Sequence, residues 1–435
     1  MTITWDEFKY KNSNTRTAFE NMCRMLFRRY YFDCYVSLHS NPNNPGVEVI
    51  PIYSEKLSKT ISFQAKHFDS SVDYVQIKAS AKKAVEYYGE DLDLFVLYSN
   101  KDINTSVKSF IEIKRILNEA NIEIELVTNQ EILDQVIQQP IIKDTYFGNY
   151  SIDESWGKDH IKRTIDSLGD RHNSFNVETN TNEFLSVFIH DTEGIYLINQ
   201  KKERAIERLR DIINDYPDQK EFIYNCIKEI RVLKDVSQED ILDCLNWTDI
   251  INNNLKKHID IIYKKIAELE KLLDEGVDFT NNDRDLRHYK QLLSVLDILS
   301  ITELEKQLLI NKILIISGDA GTGKTHILSE KAVRLIENNQ LALMLLGQNF
   351  ITNDYIDTQI PQLLGLNGGL DELLNSLESY GENNACVIPI LIDAINESPY
   401  KNIWKQGLGN LIRKIENYNY LKLIISYRNG YENFL

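Results

Sequence analysis

The chain has 435 residues with 43 % hydrophobic and 26 % charged residues and a formal net charge of -16. That length suits about three domains at roughly 150 residues each, and the composition is that of a globular chain rather than a fibrous or disordered one. The opening residues, MTITWDEFKYK, hold acids and no apolar core, and the longest apolar runs are strand-length, which argues against a secretory signal and against a membrane span of roughly 20 residues. Five cysteines (23, 34, 226, 244 and 386) lie scattered without a C-x-x-C pair, which argues against zinc or a disulfide framework and suits a reducing cytoplasm.

In chain order, the spacing of Phe19, Met22, Cys23, Leu26 and Phe27 predicts a helix over 14–32, with Glu20 just off its apolar side. Two short alternating runs follow, NPGVEVIPI (44–52) and TISFQAKHF (60–68). They read as a hairpin with Glu48 on its first strand. Gln64 and Lys66 lie two apart on the second strand and share a face, while His67 points to the other. A carboxylate facing an amide-x-lysine pair is the arrangement metal-dependent phosphodiester cleavage needs. Glu48, the Gln64 amide and the main-chain carbonyl of Ala65 would hold Mg²⁺, and Lys66 would position the attacking water and lower its pKa. A helix over 72–88, a strand over 92–100, a helix near 106–120 and a strand over 122–129 continue the pattern, with Gln76, Lys78 and Lys82 as ordinary surface polarity or as phosphate contacts. Residues 1–90 hold 12 Lys/Arg against 10 Asp/Glu, so the overall acidity does not exclude a DNA-facing surface here.

GVEV with FQAK resembles the Mrr-like restriction branch of the PD-(D/E)xK nuclease fold, which reads E…(D/E)…Q-x-K. Glu48 stands where Asp is commoner, which keeps the charge and lengthens the reach. Glu20 matches the helical acid that orients the site in that branch. The resemblance spans residues 10–140 and implies a restriction-endonuclease-like α/β domain acting on double-stranded DNA with Mg²⁺.

Residues 141–300 carry no catalytic constellation and read as helical. Ser237 and Asp240 resemble a capping box. Leu255, Ile259, Ile262, Ile266, Leu269 and Leu273 step by 4, 3, 4, 3 and 4, the spacing of a packed helix pair or a coiled coil between copies.

SGDAGTGKTH (317–326) fits G-x-x-x-x-G-K-T through Gly318, Gly323, Lys324 and Thr325, with Gly321 adding a second close approach to phosphate. It sits between the β-branched run KILIIS (312–317) and a helical pattern in THILSEKAVRLIENN, the context that aims helix N–H groups at an anion. Lys324 would reach the β/γ-phosphates of ATP and the Thr325 hydroxyl would ligate Mg²⁺, with Thr322 and His326 as further loop contacts. Further runs at 341–346, 387–392 and 421–426 give four buried strands in all. Asp393 ends the third as a metal-side carboxylate, and Glu397 follows as a candidate base that orients water.

LIDAINE resembles the hhhhD-G-h-D-E signature of STAND NTPases of the NACHT type, with Ala394 where Gly is usual and Asn396 where Asp is usual. LKLIISYR, ending in Arg428, resembles that family's sensor strand, whose Arg reads the γ-phosphate. Gly347-Gln348 after the 341–346 strand also resembles this family. SLGDRHNSFNVET (167–179) resembles a stretch that precedes the NTPase core in antiviral STAND proteins. The family's core has five parallel strands followed by helical and winged-helix subdomains. Four strands and a stop nine residues after Ser426 make the chain read as part of a longer protein.

The expected order is thus a nuclease domain (1–140), a helical region (141–300) and a partial P-loop NTPase core (301–435). That order resembles prokaryotic antiviral STAND proteins and implies a cytoplasmic, ATP-switched DNA endonuclease. In such proteins a C-terminal region senses a phage protein and drives homo-oligomer assembly. Two readings stay open beside it: a nuclease-dead scaffold that only binds DNA or protein, and a restriction-type nuclease that consumes NTP.

Overall fold

The computed structural model describes residues 3–33, 36, 38, 44–150, 152–169, 180–215, 220–233, 235–237, 244–277, 279–299 and 302–431. It is a mixed α/β protein with seventeen helices and two four-stranded sheets among those residues. None of the described helices is long and apolar enough to cross a membrane. Chain contacts divide it into two compact units, one of residues 1–153 with 357–383, the other of 154–356 with 384–435.

The first unit begins with α1 (Trp5–Lys11) and α2 (Thr15–Tyr31), the latter started by the Asn14 side chain, which accepts from the Thr17 N–H. The α2 residues Phe19, Met22, Cys23, Leu26 and Phe27 are all fully buried, so the apolar spacing did select the helix face. Then come β1 (Ile52–Ser54), β2 (Lys59–Lys66), α3 (Tyr74–Tyr88), β3 (Leu94–Ser99), α4 (Lys108–Glu119), β4 (Glu123–Thr128), α5 (Asn129–Ile137) and α6 (Pro140–Phe147). The sheet runs β1-β2-β3-β4, with β1 antiparallel to β2 and the rest parallel. Alternation along β3 sends Val96 and Tyr98 into one core with α2 and α6, and Phe95 and Leu97 into another with α3 and α4.

The expected hairpin is shorter than its sequence pattern. Residues 47–49 are not a strand: the turn at Pro45-Gly46 keeps the chain from lying flat on β2, and regular pairing begins only at Ile52 opposite Ile61. Single bonds still hold that segment to β2, from the Glu48 N–H to the Phe63 carbonyl (2.8 Å) and from the Ser62 hydroxyl to the Val49 carbonyl (2.6 Å).

The second unit opens with α7 (Glu154–Leu168), α8 (Asn180–Ile189), α9 (Thr192–Asp215), α10 (Lys220–Val232), α11 (Cys244–Asp274), α12 (Phe279–Asp297) and α13 (Glu303–Ile310). Ile262, Ile266 and Leu269 of the 4-3-4-3 series are buried with α9, α10 and α12, so their spacing serves a helical core. The Leu255 side chain, Asp240 and residues 170–179 lie outside the described residues. β5 (Ile313–Gly318), α14 (Lys324–Glu337) and β6 (Leu343–Leu346) follow. The chain next forms α15 (Ile356–Leu363) and α16 (Leu370–Asn384), whose residues 357–383 belong to the first unit, and then β7 (Ile388–Asp393), α17 (Asn402–Glu416) and β8 (Leu421–Arg428). The second sheet is wholly parallel in the order β5-β8-β7-β6. Two buried lysines tie its elements to the helices. Lys331 of α14 pairs with Asp191 at 2.5 Å, and Lys422 of β8 donates to the Leu308 and Leu309 carbonyls at 3.1 and 2.9 Å.

Candidate functional site

Two groups of residues carry chemistry, one in each unit. In the second unit, β5 delivers the chain into a loop whose Gly323 holds φ at +83°, a left-handed backbone that glycine adopts without the penalty a Cβ brings. That turn launches α14 with Lys324 and Thr325 in its first turn. The Lys324 ammonium folds over the loop, donating to the carbonyls of Gly318 (2.6 Å) and Asp319 (2.7 Å) and lying 3.3 Å from Thr322 Oγ1.

The Thr325 hydroxyl donates to Asp393 Oδ2 at 2.7 Å. Asp393 is 2 % exposed, and its second oxygen accepts from the Ser426 hydroxyl of β8, which in turn accepts from the Ala394 N–H at 2.8 Å. A carboxylate held on both oxygens by hydroxyls keeps one orientation. Because β8 lies between β5 and β7, Arg428 stands in register with Gly318, and its side chain is exposed at the sheet end. The Arg428 N–H donates to Asn396 Oδ1 (2.9 Å), and Asn429 joins the loop through the Gly318 carbonyl and Asp319 Oδ1 (both 3.1 Å). Ala394 sits at φ +52°, ψ +54°, a left-handed conformation that costs alanine more than it would cost glycine.

The structure thus brings Gly318, Gly321, Thr322, Gly323, Lys324, Thr325, Asp393 and Arg428 to the end of one sheet. Glu397 closes the 3-10 turn Ile395–Glu397 and is exposed there. His326 Nε2 lies 3.6 Å from Glu330 Oε2, engaged along α14. The sequence pattern assigns no site role to Ser426, Asn429 or Asp319. The signal for Ser426 was available, as a small hydroxyl inside the otherwise apolar LIISY of a buried strand.

In the first unit, Gly46 determines where Glu48 goes. Its φ is +77°, and a Cβ on it would lie 2.3 Å from the Ser80 carbonyl oxygen and 2.5 Å from the Ala84 nitrogen of α3. This tight seat leaves Glu48 over β2, where its Oε1 accepts from the Gln64 side-chain amide and lies 3.4 Å from the Ala65 N–H. The Gln64 amide is also 3.4 Å from the Ala65 carbonyl oxygen, and Gln64 is only 5 % exposed. Lys66 shares the Gln64 face, half-buried. His67 packs the other way, its ring 6.1 Å from Phe8 and 5.6 Å from Phe19. Glu20 rises from α2 and pairs with Arg16 at 3.1 Å. Lys78 of α3 is bound to Glu112 at 2.8 Å, an ordinary surface pair.

These charges act on one another. Burial, and then the Glu20 carboxylate, push the Glu48 carboxyl up, with Lys66 working against both. Burial pulls the Lys66 ammonium down, and Glu48 partly restores it. The Cys23 thiol on α2 is pushed well up, first by burial and then by Glu48 and Glu20, which marks how closely α2 approaches the site. Glu48, the Gln64 amide and the Ala65 carbonyl form an all-oxygen donor set of the kind Mg²⁺ takes, since the Gln64 amide can present its oxygen by a half-turn. Among the described residues no group of three or more His, Cys, Asp or Glu is placed to hold a metal, so this set depends on one carboxylate with neutral donors.

No family model matches the chain, and no match is found among curated proteins.

Proposed function

We propose that the protein is a metal-dependent DNA endonuclease switched by ATP, of the antiviral STAND kind, with a restriction-endonuclease-like domain before a P-loop NTPase core. The observation that carries the reading is the meeting of Glu48 with Gln64 and Ala65 on a mixed sheet, with Lys66 near enough for its charge to act on Glu48. Glu48, Gln64 and the Ala65 carbonyl would hold Mg²⁺, which when bound supplies a Lewis acid and lowers the pKa of water. Lys66, its ammonium pKa lowered by burial, orients the attacking water and in its neutral form can take a proton from it. Glu20, held by Arg16, adds negative charge that keeps the donor set attractive to a cation.

In the second group, Lys324 exchanges its carbonyl contacts for β/γ-phosphate oxygens. Thr325 and Asp393 are pre-paired on the metal side, and Arg428 stands at the sheet end to meet a γ-phosphate. Glu397 and His326 are assigned to water positioning and phosphate contact on the same reading. Double-stranded DNA as substrate, a phage protein as trigger, assembly into a homo-oligomer and a cytoplasmic location belong to the proposal. A second reading, a scaffold that binds DNA or protein without cutting, is favoured by the single-carboxylate donor set. Supercoiled plasmid incubated with Mg²⁺ and ATP separates the two: nicking by the wild type and none by Lys66→Ala supports the nuclease, and no nicking by either supports the scaffold.

A further inference from the structure

We infer that Lys83 of α3 binds a backbone phosphate of double-stranded DNA beside Glu48 and Lys66. The inference rests on the functional reading above and names a contact which that reading leaves open, the one that holds the duplex against the site.

The turn at Gly46 presses on α3 where Lys83 leaves the helix. A Cβ on Gly46 would lie 3.0 Å from the Lys83 Cβ, and Glu48 follows that turn by two residues, with its Oε1 against the Gln64 amide and 3.4 Å from the Ala65 N–H. Lys83 is exposed, and among the described residues its ammonium has neither a hydrogen-bond nor an ion-pair partner. Its charge still reaches the site. Lys66, whose ammonium is disfavoured first by burial, is further opposed by the positive charges of Arg16 and Lys83. Arg16 comes from α2 and Lys83 from α3, helices that cover opposite faces of the sheet, and Lys66 ends the strand between them. Backbone phosphates that flank a cleaved bond would otherwise approach the carboxylates of Glu48 and Glu20, so a cation beside the site offsets that repulsion and sets the register of the strand.

The other lysines near it on α3 are turned elsewhere. Lys78 is bound to Glu112 of α4 at 2.8 Å, and the Glu112 carboxyl is pulled down by Lys78 first, with a smaller contribution from Lys82. Consecutive residues of a helix point about 100° apart. Lys82 thus serves α4 while Lys83 serves the Gly46 side, and only Lys83 offers a phosphate a charge that no carboxylate holds.

Anisotropy of a labelled duplex titrated with the full chain tests this, at fixed ATP, with Ca²⁺ replacing Mg²⁺ to slow cleavage and with KCl varied. Lys83→Ala should bind more weakly and lower the slope of log K against log[KCl] by up to about 0.9, the worth of one phosphate contact, equally on two duplexes of unrelated sequence. Lys83→Gln, which keeps the length of the side chain, should lose the same slope, whereas Lys83→Arg and Lys82→Ala should keep it. Alanine retains the Cβ beside Gly46, so the melting temperature should stay at the wild-type value. A wild-type slope in both Lys83→Ala and Lys83→Gln, an equal loss in Lys82→Ala, or a loss confined to one duplex sequence overturns the assignment. Wild-type protein that binds neither duplex overturns the DNA reading itself, and this inference with it.

Discussion

The Thr325 hydroxyl and the Asp393 carboxylate, 68 residues apart in sequence, meet at 2.7 Å. The hydroxyl from the loop and the carboxylate from the strand are therefore in place as a pair. If they hold a nucleotide-bound cation, Asp393→Ala should weaken ATP binding in Mg²⁺ and leave binding in EDTA little changed. Lys324→Ala should weaken both by about 10–100-fold, the worth of one hydrogen bond to a charged group. Titration calorimetry in the two buffers checks the split, and equal losses for both variants in both buffers would contradict it.

The Glu48 carboxyl is held above its ordinary value of 4.5, first by burial and then by Glu20. An acid shifted upward stabilises the fold only while protonated: the contribution is complete below 4.5 and is lost as pH rises through the folded value. Glu48→Gln should therefore melt at a higher temperature than the wild type at pH 8, with the difference vanishing near pH 4, and should lose Mg²⁺-dependent cleavage. Thermal melts across that range test the sign. A difference that is constant with pH would show that ionisation of Glu48 costs the fold nothing.

Gly46 and Ala394 offer opposite tests of backbone strain. Gly46→Ala adds a Cβ at 2.3 Å from a carbonyl oxygen at positive φ, which should cost about 1–3 kcal/mol and disturb the seat of Glu48. Ala394→Gly relieves a left-handed alanine and should add up to about 1 kcal/mol of stability. Urea denaturation with unchanged slope measures both. Neutral results would show that these loops relax freely.

Much of this was legible because the local signals agreed with the tertiary outcome. The four apolar runs of the second sheet became β5, β6, β7 and β8 within two residues, and the glycine loop opened α14 as its pattern required. Glu48 was found by spacing, but its strand was not real, because Gly46 turns the chain against α3 and that approach is a tertiary fact. Ser426 stands out in sequence only as a small hydroxyl in an apolar strand, and its role follows once its partner Asp393 is known. The allegiance of 357–383 to the first unit was invisible, since amphipathic helices show which face is apolar and not what covers it.

Removing Glu382 should be costly. Glu382→Ala removes the carboxylate shared by the buried Arg28 and the partly buried Arg29 and should destabilise the first unit by about 3–5 kcal/mol. Glu382→Gln should lose less, because the amide still accepts from one guanidinium. Calorimetric melting that finds the two variants equal, or both near wild type, would mean the pair is solvated in solution.

The central claim is that nucleotide at Lys324 governs cleavage at Lys66. Its most direct measurement is the rate of supercoiled plasmid nicking in Mg²⁺, with and without ATP, for the wild type, Lys324→Ala and Lys66→Ala. The account predicts an ATP effect on the order of tenfold in the wild type, none in Lys324→Ala, and no cleavage in Lys66→Ala. A wild-type rate indifferent to ATP, or cleavage by Lys66→Ala at the wild-type rate, would contradict it.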